Sequence, residues 1–158
     1  MNESDTRALL VRFYDAFARR DGATMAACYA PDATFEDPAF ALKGPWIGAM
    51  WKMLCERAQE FSLRYEILSV SGASARVKWI ANYRFAKTGR LVENHIEADI
   101  SVRDGLIVTH RDRFSFWRWA AQALGPMGML LGWSQVLKAK VRATAMAGLK
   151  QFVDKNGL

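Results

Sequence analysis

Apolar residues recur at helical spacing in three segments near the start of the chain. Residues 4–20 carry apolar side chains at positions 9, 10, 13, 14 and 17, which lie on one face of a helix. Residues 22–30 predict a second, short helix, with Pro31 ending it. Residues 44–60 predict a third helix, with Pro45 in its first turn. The stretch "ATFEDP", residues 33–38, predicts a short strand between the second and third helices.

Residues 61–117 change to alternating polarity and are rich in β-branched and aromatic side chains. The breaks "SGAS", "KTG" and "RDG" are typical of turns. They divide the segment into four predicted strands: residues 61–72, 74–86, 90–105 and 106–117. The pattern predicts an antiparallel meander packed against three helices, which is an α+β layout.

Strand parity predicts which side chains face the helices, since alternate residues point to opposite faces of a sheet. Trp79 and Tyr83 belong to the apolar set of the second meander strand, and Asn94 is a polar member of that set in the third. His110, Asp112, Phe114 and Phe116 share the inward parity of the fourth strand. His95 and Asp99 are predicted to face outward. In the short first strand Asp37 shares the face of Phe35, and Glu36 lies opposite.

A small polar set is therefore predicted to converge inside an apolar interior. It comprises Asp37, Asn94, His110 and Asp112, with Tyr14 and Tyr83 as possible hydroxyl donors. This is the usual form of a small-molecule site, and burial should raise the pKa of an inward carboxylate toward neutrality. Each residue also has a structural interpretation: Asp37 could cap a turn, His110 and Asp112 could satisfy each other, and Asn94 could hydrogen-bond within the core.

The net charge of +6 comes mainly from one end of the chain. Residues 118–158 hold six basic residues and a single acid, Asp154. The tryptophans do not alternate with basic residues as in a nucleic-acid stacking surface, so no nucleic-acid partner is predicted. The polar N-terminus argues against a secretory signal and favours a cytoplasmic protein. Cys28 and Cys55 are interpreted as small core residues.

No cofactor or metal is predicted. His110 and Asp112 could both reach an ion, but the second histidine, His95, has the wrong parity. The chain contains no glycine-rich phosphate loop, dinucleotide fingerprint or Ser/His/Asp arrangement.

The stretch "GPMGMLLGW", residues 125–133, is very apolar for a surface segment. It could cover the mouth of a cavity, form a homodimer interface, or insert shallowly in a membrane surface beside the basic last helix. The outer face of the meander is a second candidate for dimer formation.

The words "RFYDAFARRDGATMAACYAPDATFEDPAFALKG" resemble the opening of the nuclear transport factor 2-like superfamily, which includes ketosteroid isomerases and SnoaL-like polyketide cyclases. The resemblance covers residues 5–117, and "YAPDATFEDP" is its most specific part. It implies a domain over residues 1–117 in which three helices and a curved antiparallel sheet close a cone-shaped cavity. Residues 118–158 would form a helical extension that packs on the same domain. The later stretch "NHIEADISVRDGLIVTHRDRFSFWRWAAQALGPMGMLLGW" resembles a branch of bacterial members of the superfamily.

The resemblance also suggests roles for residues. Ketosteroid isomerases use an aspartate base with a tyrosine and a protonated aspartate as oxyanion donors. Asp37 in "FEDP" matches the base. The tyrosine position falls on Phe13, with Tyr14 one residue away, and the protonated aspartate position falls on Ala98. This argues against steroid isomerisation by that mechanism. SnoaL-like cyclases place an acid/base residue late in the sheet, where Asp112 or His110 stands.

The sequence thus favours a cofactor-independent isomerase, cyclase or lyase acting on a hydrophobic carbonyl or cyclic compound. The catalytic candidates are Asp37, His110 and Asp112. The candidates for substrate contact are Asn94, Tyr14, Phe13, Trp79, Tyr83, Trp51 and Phe114. The alternative is a non-catalytic ligand-binding or dimerisation module of the same fold.

Overall fold

The computed structural model describes residues 2–158. Their helices are α1 (Glu3–Ala18), α2 (Gly22–Ala27), α3 (Pro45–Arg57), α4 (Phe116–Leu124), α5 (Pro126–Leu131) and α6 (Gln135–Asn156). Their strands are β1 (Tyr29–Glu36), β2 (Ala41–Lys43), β3 (Ser62–Ser71), β4 (Ser74–Arg84), β5 (Leu91–Arg103) and β6 (Leu106–Arg113).

The strands form one curved sheet in the order β2-β1-β6-β5-β4-β3. β3 to β6 make the predicted antiparallel meander, with Trp79 opposite Ile96 and Ala98 opposite Asp112. Register shifts interrupt β3 and β5, and irregularities of this kind bend a sheet. The helices α1 and α3 fill the concave side with fully buried side chains such as Leu10 and Met50.

The α+β class and the curved sheet are confirmed, but an all-antiparallel sheet was the wrong expectation. β1 pairs antiparallel with the short strand β2 on one side and parallel with β6 on the other. Local patterns predict neither pairing, because β2 has only three residues and the partners in β1 and β6 lie 75 to 78 positions apart in the chain.

The second helix is shorter than predicted. It ends at Ala27, and Tyr29 and Ala30 already belong to β1. Pro31 therefore lies inside a strand instead of ending a helix. It is tolerated because the pairing of β1 with β6 is interrupted between Tyr29 and Thr34, where a residue without an N–H group breaks no regular ladder.

The fourth meander strand is also shorter than predicted, ending at Arg113. Phe116 begins α4 instead of extending the strand, because Ser115 caps that helix by accepting a hydrogen bond from the Arg118 N–H. The third helix ends at Arg57.

The residues after 117 reach the main core as well as the surface. Leu149 and Phe152 of α6 are buried in the same cluster as α1 and α3. Phe116, Ala120 and Leu137 form a smaller cluster where α4 meets α6. Between them, α4 and α5 approach so closely that a Cβ at Gly128 would overlap the carbonyl oxygen of Ala120.

Gly128→Ala should therefore destabilise the protein by about 1–3 kcal/mol, because the neighbouring backbone cannot move away cheaply. Gly148→Ala is the matched control, since its nearest neighbour is the Arg57 Nη1 atom at 3.8 Å and alanine favours the helix. Urea unfolding and limited proteolysis of residues 125–135 would measure both variants. Equal stabilities would show that α5 is not held by this contact.

Candidate active site

Asp37 lies immediately after β1, in the turn that leads to β2. Its Oδ1 atom accepts hydrogen bonds from the N–H groups of Ala39 at 2.7 Å and Phe40 at 2.6 Å. The Asp37 N–H donates to the Phe40 carbonyl at 2.9 Å, which closes the turn. Asp37 thus caps a turn, while its Oδ2 atom makes no hydrogen bond to the described residues. Glu36 is exposed, as parity predicts.

The pKa of the Asp37 carboxyl is raised to about 7, mainly by burial and to a smaller extent by the neighbouring Asp112 carboxylate. The N–H groups of Phe40 and Ala39 and the nearby His110 act in the opposite direction. Asp37, Asp112 and His110 are therefore close enough to interact electrostatically. A carboxyl group with this pKa changes its protonation state near neutral pH, as a general acid or base requires.

A continuous chain of hydrogen bonds crosses the core beneath Asp37. Trp51 Nε1 donates to the Tyr29 hydroxyl at 2.9 Å, and that hydroxyl lies 2.7 Å from His110 Nδ1. His110 Nε2 lies 2.9 Å from Asp112 Oδ1, which also accepts from Trp79 Nε1 at 3.3 Å. His110 is 2% exposed and Asp112 is 3% exposed. We refer to these residues as the buried network: Trp51, Tyr29, His110, Asp112 and Trp79.

The buried network has a proton arrangement that satisfies each of its hydrogen-bond donors. If Asp112 is ionised and His110 is neutral with its proton on Nε2, His110 donates to Asp112 and accepts at Nδ1 from the Tyr29 hydroxyl. That hydroxyl can still accept the bond from Trp51. Both ring nitrogens of His110 are thus engaged inside the protein, whereas Asp112 uses one carboxylate oxygen for its two recorded bonds.

Tyr29 is the network member that sequence reasoning missed, because the pattern of residues 22–30 predicts a helix at this position. It is buried in β1, where Tyr29, Ala33 and Phe35 share one parity. The alternation of these odd-numbered apolar residues is the sequence signal that could have indicated a strand beginning at Tyr29. Burial raises the pKa of the Tyr29 hydroxyl well above its ordinary value.

Two predicted substrate contacts keep polar groups without protein partners. The Tyr14 hydroxyl is fully buried and makes no hydrogen bond to any residue that the structure describes. Its pKa is raised well above the ordinary value, first by burial and then by the Asp112 carboxylate, so it lies near Asp112. Asn94 is 8% exposed, and its amide makes no hydrogen bond to a described residue. Buried polar groups of this kind usually meet a water molecule or a ligand.

Phe13 and Ala98 occupy the two positions where the resemblance implied oxyanion donors. The Phe13 ring packs edge-on against Tyr29, Trp51 and His110, with centroids 5.7 to 5.8 Å apart. Ala98 is fully buried and lies opposite Asp112 in the β5–β6 register. Asp99 lies on the outer face, where Arg76 and Arg113 each bind it at 3.0 Å. Neither position therefore offers an oxyanion donor.

Helix α4 covers the sheet end that holds the remaining candidates. Trp119 Nε1 donates to the Tyr83 hydroxyl at 2.8 Å, and the Trp119 ring contacts Phe85 edge-on. Burial raises the pKa of Tyr83, and the Asp37 carboxylate raises it further, which places Tyr83 near Asp37. Phe114 is half-buried just after β6.

Two surface concavities border this cluster, with His110 in the lining of the first and Tyr29 in the lining of the second. One, of about 670 Å³, runs over the outer face of the sheet along Thr34, Asp99 and Arg111. The other, of about 420 Å³, lies between Pro31, Trp46 and Val153. An open hydrophobic cavity beside Asp37 stays a prediction. Within residues 2–158, no three side chains of the His, Cys, Asp and Glu types lie close enough together to hold a metal ion.

Comparison with known proteins assigns the family. The sequence model of the SnoaL-like domain matches residues 10–110, which is more than half of the chain. The chain belongs to the SnoaL-like domain family. The matched range ends at His110, so Asp112 and the C-terminal helices lie outside it. A search of curated protein sequences gives no significant match.

Solved structures agree with this fold at low sequence identity. A candidate polyketide cyclase from Xanthomonas campestris pv. campestris has a TM-score of 0.68 and 20% identity, covering 78% of this chain and 99% of its own. An LEH-like epoxide hydrolase from M. tuberculosis has a TM-score of 0.62 and 16% identity, covering 82% and 96%. A ketosteroid isomerase-like protein from Catenulispora acidiphila, in complex with trimethylamine, has a TM-score of 0.65 and 13% identity, covering 75% and 93%. At these identities the likeness shows the SnoaL-like fold alone.

Removing the hydroxyl of Tyr29 should lower the free energy of unfolding, whereas removing that of Tyr14 should not. Tyr29→Phe leaves Trp51 and His110 without a partner, so we expect a loss of about 1–3 kcal/mol. Tyr14→Phe removes a hydroxyl that has no partner and should be neutral or stabilising by up to about 1 kcal/mol. Urea unfolding of both variants at one pH measures the difference. A large loss in Tyr14→Phe would mean that its hydroxyl is satisfied by an ordered water.

The raised pKa of Asp37 predicts a specific pH dependence of stability. The folded state holds this proton up to about pH 7, whereas the unfolded state releases it near pH 4. Wild-type stability should therefore fall as pH rises between these values. In Asp37→Asn the side-chain oxygen can still cap the turn, but this dependence is lost.

We expect Asp37→Asn to gain about 2 kcal/mol on the wild type between pH 5 and pH 8. Urea unfolding across this range measures the gain, and Glu36→Gln at the exposed neighbouring position is the control. A constant stability difference between Asp37→Asn and the wild type at every pH would contradict a raised pKa.

Proposed function

We propose that this SnoaL-like domain is an acid/base enzyme that acts on a hydrophobic carbonyl or cyclic compound, without a cofactor. Isomerisation, cyclisation or a related lyase reaction each requires a proton to leave one carbon and a proton to arrive at another atom. The observation that carries the proposal is Asp37, a carboxyl with a pKa of about 7 whose Oδ1 is fixed by two backbone N–H groups. Its Oδ2 is left to exchange the proton.

Asp37 is the proposed base. It would remove a proton from the carbon next to a carbonyl, leaving an enolate, and would later return the proton at another position. Burial is the main cause of the raised pKa of Asp37. A pKa of about 7 lets the carboxyl group both accept and release a proton near neutral pH.

The enolate oxygen needs a hydrogen-bond donor, and two unpaired groups could supply one. The Tyr14 hydroxyl is buried without a partner and lies near Asp112, and the Asn94 amide lies at the sheet end beside β4. A preorganised donor of this kind is worth about 3–4 kcal/mol of transition-state stabilisation. Phe13, Trp51, Trp79, Tyr83 and Phe114 would form the apolar surroundings.

His110 and Asp112 are proposed as orienting groups. Both His110 nitrogens are bonded within the buried network, so His110 would act by holding Asp112 and Tyr29 in place. Asp112 raises the pKa of both Asp37 and Tyr14, which keeps the base basic and the donor protonated. This is the contribution that the buried network would make to the reaction.

The second candidate is a non-catalytic ligand-binding or homodimeric module. The observation that favours it is the completeness of the buried network, which is what a purely structural chain would show. Asp37 would then act only as the cap of the turn after β1. In this case a hydrophobic small molecule would still bind, or the outer face of the sheet would pair with a second copy.

Proton exchange separates the two candidates without knowledge of the substrate. The purified protein would be incubated in D₂O with a panel of hydrophobic cyclic ketones, and deuterium uptake measured by mass spectrometry. We expect the wild type to catalyse uptake with a rate that rises with pH through about 7. Asp37→Asn should lose at least about a hundredfold, which is typical of a missing general base.

Glu36→Gln is the control for this assay and should keep wild-type exchange. Asp112→Asn should lower the rate while leaving folding nearly intact, because the amide oxygen can still accept from His110 and Trp79. If wild type and Asp37→Asn exchange at the same rate, the catalytic proposal is wrong. Binding of a ketone by both proteins would then favour the non-catalytic module.

A further inference from the structure

Large apolar side chains of α5, of the turn after it and of the start of α6 point into solvent. Leu130 is 71% exposed, Trp133 is 70% exposed and Val136 is 81% exposed. The neighbouring side chains Met127, Met129, Leu131 and Trp117 are also exposed. We call residues 127–136 together with Trp117 the apolar patch. It exceeds the scattered apolar exposure that is normal for a protein surface.

The apolar patch is held rigidly. Gly128 allows α5 to lie directly on the backbone of Ala120, and Trp117 Nε1 donates to the Met129 carbonyl at 3.0 Å. Gly132 faces the same seam, where an added Cβ would lie 3.1 Å from that of Ala120. Because glycines occupy the inner side of α5, its large side chains are left on the outer side. The exposure is therefore a property of the packing.

Basic side chains flank the apolar patch. Arg118 follows Trp117 in α4, and Lys138, Lys140 and Arg142 lie in the first two turns of α6. Lys140 is four residues after Val136, so both occupy one exposed helix face. The single acid of residues 118–158, Asp154, lies near the far end of α6.

The basic residues beside the apolar patch indicate what kind of partner binds it. A second copy of the chain, meeting the patch across a two-fold axis, would bring like charges against each other. An anionic lipid surface is complementary to the basic residues, and tryptophan with leucine and methionine beside lysine and arginine is typical of segments that lie in a membrane interface. None of the described helices is long and apolar enough to cross a bilayer.

We propose that the apolar patch and the basic start of α6 dock this protein on the surface of an anionic lipid bilayer. Leu130, Trp133 and Val136 enter the boundary between headgroups and acyl chains, about 5–10 Å deep. Lys140 and Arg118 contact the lipid headgroups. This inference is independent of the chemistry proposed for Asp37.

Vesicle flotation of the full-length protein tests the proposal. Vesicles of phosphatidylcholine alone are compared with vesicles that also contain phosphatidylglycerol, at low and at high salt. We expect at least about tenfold stronger binding to the anionic vesicles at low salt, and a loss of that preference at high salt. Leu130→Glu and Trp133→Glu should each weaken binding about tenfold while circular dichroism shows an unchanged fold, because both side chains lie outside the core.

A charge-matched pair of variants shows whether position matters. The double variant Arg118→Glu with Lys140→Glu removes the charges beside the patch and should weaken binding at least about tenfold. The double variant Lys150→Glu with Lys155→Glu has the same net charge but changes the distal half of α6, and should bind as the wild type does.

Three results would overturn the proposal. Wild-type binding could be equal for both vesicle types. The two double variants could lose binding equally, which would mean general attraction of a basic protein. Sedimentation equilibrium could show a dimer that Leu130→Glu dissociates, which would make the patch an interface between copies of this chain.

Discussion

Polar side chains inside an aromatic core must find their hydrogen-bond partners within the protein. The pair of His110 and Asp112 imposes this constraint, because each unsatisfied group there would cost about 1–3 kcal/mol. Tyr29 from β1, Trp51 from α3 and Trp79 from β4 supply the partners. The buried network therefore sets the position of one helix and three strands relative to one another. Its aromatic members also provide much of the apolar packing.

The interior is divided between saturated and unpaired polar groups. Every hydrogen-bond donor of the buried network has an acceptor, whereas the Tyr14 hydroxyl and the Asn94 amide make no hydrogen bond to a described residue. Where the family resemblance implied oxyanion donors, Phe13 packs on His110 and Ala98 faces Asp112. A small side chain at position 98 leaves room for the carboxylate across the sheet. Neither of these two positions therefore holds a hydrogen-bond donor, although the SnoaL-like fold is kept.

The C-terminal helices contribute to the core and to the surface through different residues. Leu149 and Phe152 extend the main core, and Trp119 closes the sheet end by bonding Tyr83. The helix α5 buries glycine and exposes methionine and leucine. This inversion of the usual arrangement follows from the close backbone contact at Gly128, which leaves no space for side chains on the inner side.

The sequence by itself determined the class of fold and the orientation of most meander side chains. Asn94, His110 and Asp112 are buried and Asp99 faces outward, as the two-residue period predicts, because that period is a local property of a strand. Only the tertiary structure decided the parallel pairing of β1 with β6 and the role of Tyr29, since these depend on contacts between residues 75 to 81 positions apart. It also decided that Asp37 caps a turn and titrates near neutrality, because burial arises from every element packed around it.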